Sequence, residues 1–157
     1  MADHPFCQEL LNSKEYFDRS TRCLDESNST FAPTPGIYTV AQQVAHVAQV
    51  VDWFIEGAFN PKGFCTDFEK HEIKTRAIKS LKDAREMLDK SYSAAIEKFE
   101  KTSMAEFQKL IEPGLLGGLP RSTIVSGIID HTAHHRGALT IYARLLGKTP
   151  AMPYMEM

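Results

Sequence analysis

The 157-residue sequence lacks the marks of several protein classes. It has no run of 18 apolar residues, so no segment is predicted to span a membrane. Its amino terminus, Met-Ala-Asp-His-Pro-Phe, has neither the basic region nor the apolar region of a signal peptide. A formal net charge of −2 provides no electrostatic attraction for nucleic acid. We therefore expect neither a membrane nor a nucleic acid among its partners.

Cysteine is scarce as well. The three cysteines, Cys7, Cys23 and Cys65, are odd in number and widely spaced, and they form no Cys-x-x-Cys pair. Such a set builds no disulfide framework, which predicts a location in the reducing cytoplasm. The simplest role for each cysteine is that of a small buried side chain.

No stretch shows the two-residue alternation of a β-strand, and no repeat or low-complexity segment is present. Instead, apolar residues recur at three- and four-residue steps, which predicts helices. The predicted helices run from about Phe6 to Asp25, from the N-cap Thr39 to about Asn60, from Thr75 to Glu100 and from Pro120 to Leu146. Four such helices predict an all-α four-helix bundle, in which two connectors of about ten residues are long enough to cross the bundle.

The last predicted helix carries histidines within an apolar stripe. The stripe consists of Ile124, Ile128, His131, His135, Leu139, Tyr142 and Leu146. One histidine there would more simply be a core residue, but His131 and His135 are four residues apart and lie on one helix face. Two imidazoles at this spacing can direct two nitrogens at one divalent ion. At ~100° per residue His134 points away from both and is the less favoured ligand, although a pair of His131 with His134 stays open.

A third ligand must come from elsewhere in the chain. His46 lies at the edge of the wide apolar arc of the second helix, where it can face a neighbouring helix. Alone it would be a boundary histidine bonded to water or a carboxylate, but opposite two spare imidazoles it is the better candidate. His71 lies in a charged connector and is the reserve candidate. Three ligands, His46, His131 and His135, would leave a metal position for water or substrate, as in catalytic sites.

Two further features leave alternatives open. Residues 103–119 are predicted to be irregular and rich in glycine and leucine, so they form either a lid over the site or a loop packed on the end of the bundle. The last helix is apolar over most of its circumference. It is therefore either central to one bundle or covered by a second chain.

These residues resemble the pattern of the DinB / YfiT-like superfamily. The resemblance lies in His46, in the segments Asp130 to Ala138 and Tyr142 to Lys148, and in the tail from Pro150 to Tyr154. It is specific over about the last 35 residues. It implies one four-helix-bundle domain over residues 1–157 with crossover connections, forming a homodimer. It also implies a divalent metal such as nickel or zinc on the positions of His46, His131 and His135.

The resemblance implies chemistry too, since some relatives transfer small thiols such as bacillithiol or glutathione, or isomerise maleylpyruvate with mycothiol. The sequence departs from the family pattern at Ala138, where Gln is frequent, and at Gln43, where Glu is frequent. No carboxylate is clearly placed as a general base. Two functions follow as expectations: a metal-dependent small-thiol S-transferase or hydrolase acting on a small electrophile, or a non-catalytic, stress-related metal- or ligand-binding module.

Overall fold

A computed structural model describes residues 4–155. Within that range the chain is helical and contains no β-strand. The helices are α1 (Pro5–Thr21), α2 (Val40–Phe59), α3 (Phe68–Ala77), α4 (Leu81–Glu100), α5 (Met104–Gln108) and α6 (Thr123–Leu145), with a 3₁₀ turn at Glu26–Asn28. None of these helices is long and apolar enough to cross a bilayer.

The four long helices, α1, α2, α4 and α6, enclose a common apolar core. α2 packs on α4 and α6, and α1 packs on the same two helices. The shorter α3 packs on α2. Large, fully buried side chains from all four long helices fill the centre: Leu10, Phe17, Val44, Leu88, Phe99, Ile124, Ile128 and Leu139. The contact between α2 and α6 brings the predicted histidine positions toward each other.

Local signals in the sequence account for the ends of α2 and α6. The Thr39 side chain accepts a hydrogen bond from the backbone N–H of Gln42, whose own side chain accepts from the Thr39 N–H. This capping box begins α2 at the predicted place. Gly147 follows the end of α6 with φ of +73°, a conformation that favours glycine and that commonly ends helices.

The predicted third helix ends at Glu100 as expected, but its predicted start at Thr75 is wrong, because the chain breaks between two helices at residues 78–80. α3 ends at Ala77, Ile78 is extended, and Ser80 caps α4 by accepting from the backbone N–H of Asp83. Ile78 still packs against the core, so the apolar periodicity continues across the break and conceals it. His71 consequently lies on a helix rather than in a connector.

Two other helix boundaries and one loop differ from the prediction for local reasons. α1 ends at Thr21 instead of Asp25, because the Asp25 side chain caps the following 3₁₀ turn. α6 begins at Thr123 instead of Pro120, which forms an isolated antiparallel bridge with Leu110. Residues 103–119 are not wholly irregular, since Ser103 caps the short helix α5.

The segment 103–119 packs on the end of the helical assembly. The ring of Phe107 is buried and lies 5.0 Å from that of Phe6, 6.0 Å from that of Phe59 and 4.9 Å from that of Phe99, measured between centroids. Phe59 is thirteen residues after His46, a distance of about 20 Å along α2. This packing favours the end-packed loop over the lid.

Candidate metal centre

Three histidine side chains converge where α2 packs against α6. His46 comes from α2, and His131 and His135 come from successive turns of α6. The Nε2 atom of His131 lies 3.3 Å from Nε2 of His46 and 3.1 Å from Nε2 of His135. One nitrogen from each ring lies within 4.8 Å of the other two. We refer to these three residues as the histidine trio.

The spacing of these nitrogens suits a divalent ion. Three nitrogens bonded to one ion at ~2.0–2.1 Å with tetrahedral angles would lie about 3.3 Å apart. The two measured Nε2 separations within the trio, 3.3 and 3.1 Å, are close to that value. A proton on Nε2 of His131 could form a hydrogen bond with only one of the other two rings. A cation would instead bind the lone pair of every nitrogen that points into the cluster. The donor set therefore fits a metal ion.

A chain of hydrogen bonds determines the tautomer of His135. The hydroxyl of Tyr142 donates its only proton to the backbone carbonyl of Tyr38, at 3.0 Å. Its oxygen therefore accepts from Nε2 of Gln43, at 3.2 Å. That orientation turns Oε1 of Gln43 toward Nδ1 of His135, which must donate. With its proton on Nδ1, His135 presents the lone pair of Nε2 to the trio, as a metal ligand must.

Burial keeps the trio neutral. Burial lowers the pKa of His135 to about 3, and the neighbouring rings of His131, His46 and His134 add to the effect. Burial lowers the pKa of His131 to about 4, with further contributions from His46 and His134. The pKa of His46 is lowered as well, chiefly by burial, against the opposing charge of Glu72. At neutral pH the three imidazoles are therefore unprotonated, which metal binding requires.

The other two histidines considered from the sequence lie outside this cluster. His134 is exposed, and its ring touches that of His135 edge to face at 4.9 Å between centroids. His71 lies on α3, where its backbone carbonyl accepts from Gln49 at 3.0 Å. Within residues 4–155, the trio is the only group of three or more histidine, cysteine, aspartate or glutamate side chains close enough together to hold an ion.

Sequence reasoning missed the supporting residues. Gln43 was noted only as a departure from the family pattern, and Tyr142 only as part of the apolar stripe. A signal existed, because Gln43 precedes His46 by three residues and Tyr142 follows His135 by seven. Both spacings place a polar group on the ligand-bearing face of its helix. The partner atom, the carbonyl of Tyr38, lies in a connector and has no such signal.

The carboxylate that acts on the trio is already engaged. Glu72 accepts hydrogen bonds from the Tyr38 hydroxyl and from Arg76. Burial, together with Glu72, raises the pKa of Tyr38 to about 12, so this phenol keeps its proton at neutral pH. The Tyr38 ring packs 5.1 Å from that of His46. Glu72 thus holds Tyr38 against the site and has less freedom to accept a proton from a substrate.

Comparison with known proteins agrees with this architecture. The family model described as the DinB family matches residues 7–157. A solved structure, a DinB-like protein from Bacillus cereus ATCC 10987, is similar with a TM-score of 0.74 and 20% sequence identity, over 92% of this chain and 93% of that chain. At that identity the likeness shows the fold alone. No curated protein matches the sequence.

Proposed function

The chain belongs to the DinB family, and we propose that it binds a divalent metal at the histidine trio and acts as a small-thiol S-transferase or hydrolase. The observation that carries this proposal is the convergence of three Nε2 atoms, with neighbouring separations of 3.3 and 3.1 Å. The proposed ligands are His46, His131 and His135. Three protein ligands leave at least one coordination position for an exchangeable group.

A zinc or nickel ion held there would lower the pKa of a thiol or of water and so supply a nucleophile at neutral pH. The protein's part is to hold three neutral imidazoles, which leave the charge of the ion uncompensated and favour an anionic further ligand. His46 and His131 also line a cavity, through which a small molecule can reach the trio. The electrophile would enter by the same cavity.

The thiol is proposed to come from outside the chain. Cys7 is buried, Cys23 is half-buried and Cys65 is exposed, and none of them belongs to the cluster around the trio. The backbone carbonyl of Cys65 accepts from Nε1 of Trp53 at 2.7 Å, which holds this cysteine in the connector after α2. A small cellular thiol such as bacillithiol or glutathione is the proposed partner. The free state of all three cysteines also supports the proposed location in the cytoplasm.

The second candidate is a non-catalytic metal- or ligand-binding module. The engagement of Glu72 by Tyr38 and Arg76 favours it, because a transferase or hydrolase benefits from a free general base. The two candidates share the metal site and differ in whether an electrophile is consumed.

Metal content tests the shared part of both candidates. Protein purified without a histidine tag is expected to contain close to one equivalent of nickel, zinc or another divalent ion by elemental analysis. The cobalt-substituted protein is then titrated with bacillithiol, glutathione and cysteine. A thiolate-to-cobalt absorption band at millimolar thiol, together with consumption of an added electrophile, supports the transferase. A band without consumption supports the binding module, and the absence of both metal and band would reject the proposal.

The proposed architecture is a four-helix bundle with crossover connections. In its support, α1 and α2 each pack on both α4 and α6. This arrangement requires the chain to pass from α1 to α2 across the assembly. We also propose a homodimer, because α6 exposes 55% of Ile141 and 61% of Leu145. Sedimentation at micromolar concentration is expected to show a dimer, and a monomer there would contradict this part of the proposal.

A further inference from the structure

An aromatic cavity adjoins the histidine trio. It has a volume of about 220 Å³ and lies between α2, α3 and α6. His46 and His131 form the wall toward the trio, and the other walls include Val50, Trp53, Phe54 and Phe68. We propose that this cavity binds a neutral aromatic ring of the electrophilic substrate. The identification of the ligand as a substrate rests on the proposed function, whereas the binding of the ring does not.

The aromatic walls depend on glycines at two helix contacts. A Cβ atom at Gly127 of α6 would lie 2.7 Å from Cζ of Phe54, so the absence of a side chain lets this ring lie against α6. A Cβ atom at Gly57 would lie 2.1 Å from Cδ1 of Phe64. The ring of Phe64 in turn packs 4.5 Å from that of Trp53. The two glycines thus let helix backbones approach the rings that shape one side of the cavity.

The volume and polarity of the cavity suit a single substituted ring. An engineered apolar cavity of about 150 Å³ is enough to bind benzene, so about 220 Å³ accommodates one ring with a substituent. The polar groups at the walls are mostly engaged, since Nε1 of Trp53 bonds the carbonyl of Cys65 and the amide of Gln49 bonds His71 and Thr75. Hydrophilic ligands would therefore find few partners.

His71 and His46 supply the exceptions. Both line the same cavity, and Nε2 of His71 and Nδ1 of His46 are buried without a hydrogen-bond partner among the described residues. A buried polar atom without a partner is unfavourable, and a ligand with one hydrogen-bonding substituent would remove that penalty. The inferred ligand is thus an aromatic ring that carries one such substituent.

The charges around the cavity favour a neutral aromatic ligand over a cation. Aromatic walls also attract ammonium groups through cation–π interactions. Among the described residues 4–155, however, no carboxylate lines this cavity, so a cation would find no opposite charge at its walls.

The single tryptophan of the chain makes the binding measurable, since Trp53 lines the cavity. Trp53 also lines a neighbouring cavity, so variants of the cavity walls assign the signal. Metal-free protein is titrated with 4-nitrobenzyl alcohol, whose nitro group quenches indole fluorescence on contact. The wild type is expected to show saturable quenching. Gly127→Ala displaces the ring of Phe54 and is expected to weaken binding by about tenfold or more. Val50→Phe is expected to weaken binding to a similar extent, because the larger side chain fills the cavity. Gly137→Ala lies on the same helix, where the added Cβ meets nothing within 4 Å, and should bind as the wild type does.

Each outcome decides the proposal. Competition by benzyl alcohol but not by tetramethylammonium would support a neutral aromatic site, and the reverse order would overturn it. Linear, unsaturated quenching would overturn it too, as would equal affinities in the wild type, Gly127→Ala and Val50→Phe. Circular dichroism verifies that each variant is folded, and Val50→Phe maintains the test if Gly127→Ala fails to fold. Because neither metal nor thiol is present, failure here leaves the metal analysis unaffected, and failure of metal binding leaves this result standing.

Discussion

Two polar clusters lie on different faces of α6, and they differ in how completely their atoms are paired. The first is the hydroxyl cluster of Thr132, Tyr92 and Ser13, which joins α6 to α4 and α1. The Tyr92 oxygen lies 2.8 Å from that of Thr132 and 3.3 Å from that of Ser13, and Tyr92 is 1% exposed. The second is the histidine trio, which joins α6 to α2. Its first residue on α6, His131, directly precedes Thr132.

The contrast lies in what each cluster lacks. A hydroxyl both donates and accepts, so each of the three oxygens has a hydrogen-bond partner within the cluster without a ligand. The trio instead directs at least one lone pair inward, because the bond to Gln43 keeps the proton of His135 on Nδ1. Two members of the trio also line a cavity, whereas the Tyr92 hydroxyl is enclosed. A polar cluster whose atoms are paired with one another needs no ligand, whereas a cluster with inward lone pairs is suited to bind one.

The largest expected effect comes from removing a nitrogen of the trio. His46→Ala, His131→Ala and His135→Ala should each abolish stoichiometric metal binding, because two imidazoles leave half of a tetrahedral ion's coordination to water. His134→Ala is the matched control on the same helix and should retain full metal content. Elemental analysis after dialysis gives the answer, and full metal content in any of the three trio variants would remove that residue from the ligand set.

The next effect tests the orientation of a ligand rather than its presence. Tyr142→Phe removes the hydroxyl that orients the Gln43 amide, so the amide can turn its NH₂ group toward His135 and favour the tautomer that blocks Nε2. Changes of this kind typically lower metal affinity by about 10- to 100-fold. Competition with a chelator measures that affinity.

Tyr92→Phe serves as the control for this second prediction, since it removes a buried tyrosine hydroxyl from the other cluster. Metal affinity should remain at the wild-type value in this variant. Equal affinities in Tyr142→Phe and the wild type would show that the hydrogen-bond chain does not act on the metal site.

The same contrast explains how far sequence reasoning reached. The four-residue spacing of His131 and His135 is a property of one helix, so it was readable from the chain, and His46 followed from the apolar arc around it. The break before Ser80 was missed because the apolar period continues through Ile78. The cavity was not predictable, because it depends on the approach of Phe54 to Gly127, two residues that meet only after α2 and α6 pack.

A smaller effect is expected on stability from the hydroxyl cluster. Tyr92→Phe leaves the hydroxyls of Thr132 and Ser13 without their shared partner, which should lower the free energy of unfolding by about 1 kcal/mol. Urea denaturation of the metal-free protein measures this change. Equal free energies of unfolding in Tyr92→Phe and the wild type would show that the hydroxyl cluster does not stabilise the fold.

The last expected effect is the pH dependence of the metal-free protein, which the trio should produce and the hydroxyl cluster should not. Folding lowers the pKa of His131 to about 4 and that of His135 to about 3, against about 6.5 for an unfolded histidine. Between about pH 4 and 6.5 the unfolded chain therefore binds protons that the folded trio does not. The free energy of unfolding must rise with pH across this window, and this contribution is lost as the pH falls. In urea denaturation at several pH values, replacing all three trio histidines with glutamine should flatten the slope, while Tyr92→Phe should leave it parallel to the wild type. An unchanged slope in the glutamine variant would mean that the trio is not held neutral by the fold.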